Sequence, residues 1–220
     1  MFQFQGMWLP EGEAHFQHWM EKNGEIVDGR GTYQIAKWRA CLPWIKNWRV
    51  AIDCGCHIGF WSFQMLPKFR WLHAFEPVEQ YRDCWLTNCG TVFDNWDLYV
   101  YALGSKAGRI SMVIPPLGGG IDSGGTHVGE GSDVEMRTLD SFGFENVDFV
   151  KIDCEGYEHR VIEGARETLL RCKPCVIVEQ KPQKLGENFG IKGTPAVDLL
   201  REMGAIERAC LSGDHILSWD

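Results

Sequence analysis

Hydrophobic positions recur along this chain with two periods, near two residues and near 3.6, and the switches between the periods mark its elements. Runs rich in β-branched and aromatic residues at 49–54, 71–76, 97–102, 147–153 and 175–180 predict strands. Between and after them, 59–67, 78–89, 157–171 and 195–203 predict helices. Such alternation predicts an α/β fold with a mostly parallel sheet and helices on both faces. A β-hairpin insertion is predicted after the third strand, pairing 108–114 with 133–137. Its connection carries seven glycines between Gly118 and Gly131 and is expected to act as a mobile lid. Runs 205–211 and 215–219 flank Ser212-Gly213-Asp214 and predict a C-terminal antiparallel hairpin. Ahead of the sheet, 12–22 and 33–42 predict a short helical N-terminal extension, the second helix spacing Ile35, Trp38 and Leu42 along one face. With no internal repeat and no dividing linker, the 220 residues are expected to form one domain, an extension over 1–45 and a core over 46–220.

Composition removes several classes. A hydrophobic share of 45%, with 12 Phe, 10 Trp and 5 Tyr, is enough to fill a core and excludes intrinsic disorder. No run approaches the roughly 18 apolar residues of a membrane span. The opening segment MFQFQGMWLP lacks a basic start and is followed by Glu11 and Glu13, which argues against a secretory signal and for a cytoplasmic place. Twenty-two basic against 30 acidic residues give a formal charge of −8, which opposes phosphate backbones, so nucleic acid is not an expected partner, nor is a membrane.

Nine cysteines, an odd number in a chain of this length, argue against a complete disulfide framework. Cys172-Lys-Pro-Cys175 reads as a helix stopping at Pro174 before a buried strand. Cys54-Gly-Cys56-His57 crowds three potential ligands into four residues, too few to surround one tetrahedral ion.

The first chemical signal is the segment Arg49–Gly59, an apolar strand ending in Asp53 and then a glycine turn opening a helix. Ligands of open α/β sheets bind at that strand end. The spacing is D-x-G-x-x-x-G, which fits a dinucleotide pyrophosphate poorly. The second signal is Glu76, ending the next strand in His73-Ala-Phe-Glu76-Pro77, where an acid can accept both hydrogen bonds of a ribose diol.

Ile52-Asp-Cys-Gly-Cys-His-Ile-Gly59, Phe75-Glu-Pro77, Ala102-Leu-Gly104 and Lys151-Ile-Asp-Cys-Glu-Gly156 together resemble the FkbM-type S-adenosylmethionine-dependent methyltransferases, in order and spacing, from about residue 49 to 181. The most specific piece is Ile152-Asp-Cys-Glu-Gly156 with Tyr157-Glu158 and Val161-Ile-Glu-Gly164 behind it. The resemblance implies a seven-stranded, Rossmann-like sheet, S-adenosylmethionine as cofactor, and O-methylation of a hydroxyl on a small molecule or sugar. It implies that Asp53, Gly55, Cys56, His57 and Gly59 form the turn at the cofactor's amino-acid end, with Cys56-His57 standing where the family more often has Ala-Asn. Glu76 would hold the ribose, with Pro77 beside the adenine and Ala102, Leu103 and Gly104 on its other face. Tyr33 and Gln34 are further candidates for the methionine carboxylate.

Methyl transfer from a sulfonium needs alignment of an acceptor oxygen and removal of its proton. Asp153 and Glu155, leaving the fourth strand, are the candidate bases, with Asp153 also near the cofactor and with capping of the next helix as the alternative role for both. His159 and Glu179 are further candidates, His159 being expected on a helix surface. A divalent ion held by the carboxylates is chemically possible but not expected. Lys37, Asp153, Lys181 and Glu179 loosely offer the residue types of an RNA 2′-O-methyltransferase, and a non-catalytic protein keeping the fold is the remaining alternative.

Overall fold

A computed structural model describes residues 1–219. Its centre is a seven-stranded sheet: β1 (Val50–Cys54), β2 (Trp71–Phe75), β3 (Trp96–Tyr99), β4 (Val147–Ile152), β5 (Cys175–Glu179), β6 (Ile206–Leu211) and β7 (Asp214–Ser218). The spatial order is β6-β7-β5-β4-β1-β2-β3, with β1 to β5 mutually parallel and β7 antiparallel to both neighbours. The order reverses direction between β1 and β4, which opens a crevice at the C-terminal strand ends.

Both faces of the sheet are covered because its inner strands carry apolar residues on both sides. On one side Ile52, Val150, Ile152, Val176 and Val178 pack on Val161, Leu169, Val197 and Leu200. These come from α5 (Glu158–Glu163), α6 (Arg166–Cys172) and α8 (Pro195–Glu202). On the other side the intervening residues Ala51, Phe149 and Ile177 meet Trp38, Trp61 and Met65 of α2 (Ile35–Cys41) and α3 (Phe60–Met65). Burial of each large side chain contributes about 1.5–3 kcal/mol.

Several elements differ from the sequence expectations, each for a local reason. The helix expected over 157–171 is two helices, broken at Gly164, because the loop at residue 104 crosses there: a Cβ on Gly164 would lie 2.1 Å from the Gly104 carbonyl oxygen. The strand expected over 97–102 ends at Tyr99, and Ala102–Leu103 joins a second, three-stranded sheet with His127–Arg137 and Gly108–Val113. The glycine-rich connection is more structured than a bare loop. It holds a small hairpin, Pro116–Leu117 with Gly120–Ile121, then one 3-10 turn, and pairing of the long strand resumes at His127 rather than at 133. A helix absent from the sequence reading, α7 (Pro182–Phe189), follows β5.

The N-terminal extension is not purely helical. Beside α1 (His15–Asn23) and α2 it carries two hairpins, Phe2–Phe4 with Met7–Leu9 and Ile26–Val27 with Arg30–Gly31. Their turns, Gln5-Gly6 and Asp28-Gly29, have positive φ at both residues, the conformation that tight hairpins need. Among the polar ties of the extension to the core, two are centred on Asn88 and Glu13. Asn88, in a wide π turn that continues α4 (Glu79–Trp85), accepts from the Trp8 amide at 2.8 Å and donates to the Trp8 carbonyl at 3.0 Å. The Glu13 carboxylate accepts from the amides of Phe16 (2.7 Å) and Ser123 (3.1 Å) and from the Ser123 hydroxyl, which fastens the extension to the glycine-rich insertion. As expected, the α6 helix stops at Cys172 and β5 begins at Cys175. All nine cysteines are free. Among the described residues, no helix is long and apolar enough to cross a membrane.

Candidate active site

The turn after β1 is built by close backbone approach. Gly55 has φ +74°, and a Cβ there would lie 2.2 Å from the Asp153 carbonyl oxygen, so only glycine lets the ends of β1 and β4 approach this closely. The Gly55 and Cys56 amides donate to the Phe75 carbonyl at 3.1 and 3.0 Å, and the Lys151 ammonium donates to the Gly55 carbonyl at 2.9 Å. His57 follows in the left-handed region, φ 52°. Its amide donates to Glu76 Oε2 at 3.0 Å, while Glu76 Oε1 accepts from the Val78 amide at 2.8 Å. Burial pushes the Glu76 carboxyl up to about 7 despite these two bonds.

Around this turn lies a cleft with about 920 Å³ of empty space, counting its open mouth. Gly55, Cys56, His57, Glu76, Pro77, Ala102, Leu103, Lys151, Asp153 and Glu155 line it from the core. Phe16 and Tyr33 of the extension and Met112, Ser123, Gly124, Thr126 and Val128 of the insertion complete its walls. Phe60, Trp61, Tyr81, Tyr101 and Tyr157 make those walls strongly aromatic. The Tyr81 hydroxyl and the Thr126 hydroxyl are 2.7 Å apart, closing one seam between core and insertion. The His57 ring packs between Tyr81 and Phe16, with centroids 4.3 and 5.1 Å away. Neither of its buried nitrogens has a hydrogen-bond partner, and burial drives its pKa down to about 3, so the ring is neutral at physiological pH.

Several of the residues singled out from sequence lie outside the cleft wall. Asp53 is fully buried beneath the turn, accepting from the Ser62 hydroxyl at 2.7 Å, with Lys151 3.6 Å away. Gly59 faces Trp85 and Cys89, and Gly104 faces Met136 and Tyr157. Glu179 is buried behind the rim in contact with Lys181 and Lys184. His159 is buried rather than on a helix surface, 6% exposed, with both ring nitrogens unpartnered. Nor does Asp153 or Glu155 cap α5, whose N-terminus has no side-chain cap; the Glu158 Oε1 instead braces the turn before the helix, accepting from the Cys154 and Gly156 amides at 3.0 and 2.9 Å. Of the two extension candidates, Tyr33 reaches the cleft, but the Gln34 Oε1 is taken by the Trp61 indole at 3.1 Å.

The polar end of the cleft is a network of alternating charges. Lys151 is 3.6 Å from both Asp53 and Asp153, and although burial disfavours its ammonium, these carboxylates hold its pKa above the usual range. Burial disfavours the Asp153 carboxylate, but Lys151, Lys184, Lys181 and Lys37 outweigh it and keep that group ionised. Glu155 behaves oppositely. Its burial, with Glu179 and Asp153 nearby, raises its pKa well above a normal carboxylate even though Lys184 contacts it. Glu155 also sits at φ 52°, an uncommon backbone for a non-glycine residue, with its carbonyl held by the Asn188 side chain at 3.0 Å. Asp153, Glu158 and Glu179 bring carboxylate oxygens within 4.8 Å of one another, but the neighbouring counter-charge is ammonium, from Lys181 and Lys184 on Glu179 and Lys151 near Asp153. Lys37 pairs with Asp214 of β7. Lys151 and Lys184 are the residues the sequence reading missed. A lysine inside the apolar run Val147–Ile152 was a legible signal for the first, whereas α7 carried none for the second.

The model of the methyltransferase FkbM domain matches residues 53–210, from the end of β1 into β6. The chain belongs to the FkbM family of S-adenosylmethionine-dependent methyltransferases. The FkbM match excludes the N-terminal extension, yet Phe16 and Tyr33 of that extension line the cleft. Among solved structures, a precorrin-6y C5,15-methyltransferase from Geobacter metallireducens is similar at 14% identity and TM-score 0.52, over 86% of this chain and 90% of that one. A methyltransferase from Geobacter sulfurreducens matches at 17% identity and TM-score 0.50, over 96% and 89%. An FkbM methyltransferase from Methylobacillus flagellatus matches at 18% identity and TM-score 0.47, over 76% of this chain, which spans 42% of that chain's length. At these identities the structural likeness concerns the fold. No curated protein matches the sequence.

The cleft suits the family's cofactor on its own chemistry. Backbone approaches it without a side chain at Gly55, apolar walls stand at Pro77, Ala102 and Leu103, and the orphaned His57 nitrogens offer one donor and one acceptor.

Proposed function

We propose that this FkbM domain methylates a hydroxyl oxygen of a small molecule or carbohydrate inside the cell. When bound, S-adenosylmethionine supplies an electrophilic methyl group. The Glu76 carboxylate has lone pairs left beside the two backbone amides it already serves, which suits it to ribose hydroxyls, and Pro77, Ala102 and Leu103 suit the adenine. The Gly55–His57 turn and Asp153, with Tyr33 opposite, suit the amino-acid end.

The observation that carries the reading is the pair of carboxylates on the cleft wall, Asp153 and Glu155, with opposite pKa shifts. Of the two, Glu155 is the more basic, which favours it as the proton acceptor. Asp153, held ionised, then orients a hydroxyl or a cationic group, and Lys184 holds the Glu155 side chain in place. Glu179, outside the wall, shares Lys184 with Glu155 from behind. The aromatic walls and the covering extension favour a compact acceptor over a polymer. The second reading, methylation of an RNA 2′-hydroxyl, draws on Lys37, Lys181 and Glu179 gathered around Asp153, but both lysines are already engaged by Asp214 and Glu179.

The test is a screen of hydroxylated metabolites, sugars and short RNAs for S-adenosylhomocysteine release, with mass spectrometry locating the new methyl. Methyl on the oxygen of a small acceptor supports the proposal. Transfer only to RNA, or only to nitrogen or carbon, overturns it, and cofactor binding without any turnover favours a non-catalytic role.

A further inference from the structure

The terminal hairpin carries a second constellation, remote from the cleft and independent of the methyltransferase reading. β6 is the edge strand of the sheet, separated from β1 by β7, β5 and β4. Cys210 on β6 and His215 on β7 are directly opposed cross-strand partners. The Cys210 Sγ lies 3.7 Å from His215 Nε2, and His215 Nδ1 lies 2.8 Å from Glu207 Oε1. The other Glu207 oxygen is held by Arg201. The three side chains bring one potential ligand atom each within 4.8 Å of one another. Cys210 is exposed, whereas the other eight cysteines are buried or half-buried.

We propose that Cys210 and His215 ligate a thiophilic divalent cation, zinc in the first instance, with Glu207 positioning the imidazole. An ionised carboxylate can only accept, so the Glu207 bond puts the ring proton on Nδ1 and leaves the Nε2 lone pair facing the thiol. That is the arrangement in which histidine binds metal while a carboxylate fixes its tautomer and orientation. The spacing fits as well. With Zn–S about 2.3 Å and Zn–N about 2.0–2.1 Å, two ligands on one tetrahedral ion lie about 3.6 Å apart, close to the separation already present. Opposed positions on paired strands hold both ligands on a rigid scaffold, and water completes the coordination on the exposed side. A bound ion would clip the edge strand to its neighbour, stabilising the hairpin in proportion to ion concentration.

Cobalt(II) is the probe, because thiolate ligation gives a near-ultraviolet charge-transfer band. The full-length protein should develop that band with one equivalent of Co²⁺ per chain and lose it on adding Zn²⁺. Cys210→Ser and His215→Gln should each abolish it, Glu207→Gln should weaken Co²⁺ binding about 10-fold or more, and Cys154→Ser should leave it intact. Circular dichroism melts establish that each variant is folded. S-adenosylmethionine titration should be unchanged in Cys210→Ser, which keeps this result separate from the fate of the methyltransferase reading. No band at millimolar Co²⁺, or a band that survives Cys210→Ser, overturns the proposal.

Discussion

Replacing Lys151 by Met tests the electrostatic account of the cleft through stability. The ammonium is 5% exposed, lies 3.6 Å from each of Asp53 and Asp153, and donates to the Gly55 carbonyl. Coulomb's law at that separation, with an effective dielectric of about 20, gives about 5 kcal/mol per pair before desolvation is counted. Removing one partner of a buried ion pair costs about 3–5 kcal/mol net, because the remaining charge is left uncompensated. At about 2–4 °C per kcal/mol for a chain of this size, Lys151→Met should lower Tm by about 6–20 °C. The pH dependence has a definite sign. In the wild type Asp153 is depressed, so its contribution is present above the unfolded carboxylate pKa and is lost as pH falls through the folded one. Without Lys151, burial raises Asp153 as well and pushes the already raised Asp53 further up, and the folded state keeps protons that the unfolded chain has released above about pH 4. The deficit should therefore shrink between about pH 8 and pH 5, and Asp153→Asn in the same chain should recover part of it. Thermal melts followed by circular dichroism across that range are the assay. A Tm within about 2 °C of wild type, or a deficit that pH leaves unchanged, would refute the reasoning.

Glu155→Gln should lower turnover by about 10² to 10⁴ with little change in cofactor affinity, read by single-turnover kinetics beside titration. Full turnover in that variant and in Asp153→Asn would place the base elsewhere. Glu76 has a carboxyl raised to about 7 by burial, so cofactor affinity should strengthen as pH rises through that value, and Glu76→Gln should flatten the trend. The same shift means that Glu76 lowers stability as pH climbs from about 4.3 to its folded pKa. Glu13→Ala strands the Ser123 and Phe16 donors and should cost about 1–3 kcal/mol, with faster hydrogen exchange across 118–126. Unchanged exchange there would mean that Glu13 does not fasten the insertion.

The inner strands of the central sheet were legible because each is mostly apolar on both alternating faces, the pattern of a sheet buried on both sides. The glycine turn and Glu76 were legible too, since strand ends in such a sheet have predictable places. Which way a side chain turns at those ends was not. Asp53 and Asp153 both end strands and share Lys151, yet one is sealed under the turn and the other lines the cleft, a difference set by packing on Ser62 and α3. Neither Asp153 nor Glu155 caps α5, because the chain leaves β4 through left-handed residues at Glu155 and Gly156 before the helix starts, a turn that Glu158 braces from the first helical residue. Lys184 lies in a short stretch, Pro182–Phe189, whose single buried residue is Leu185 and which is interrupted by Gly186, so the helix is hard to read from its sequence. The hairpin at Asp28-Gly29 carried a readable turn signal, but its two-residue strands are too short for an alternation pattern.

The central claim is that this cleft holds S-adenosylmethionine between Glu76 and the Gly55 turn. Isothermal titration of the wild-type chain and Glu76→Ala with S-adenosylmethionine tests it most directly. The account predicts saturable one-to-one binding, competed by S-adenosylhomocysteine and weakened in Glu76→Ala by about 1.5–3 kcal/mol, the worth of a charge-assisted hydrogen bond. Absence of binding at millimolar cofactor, or equal affinity in a folded Glu76→Ala, would contradict it.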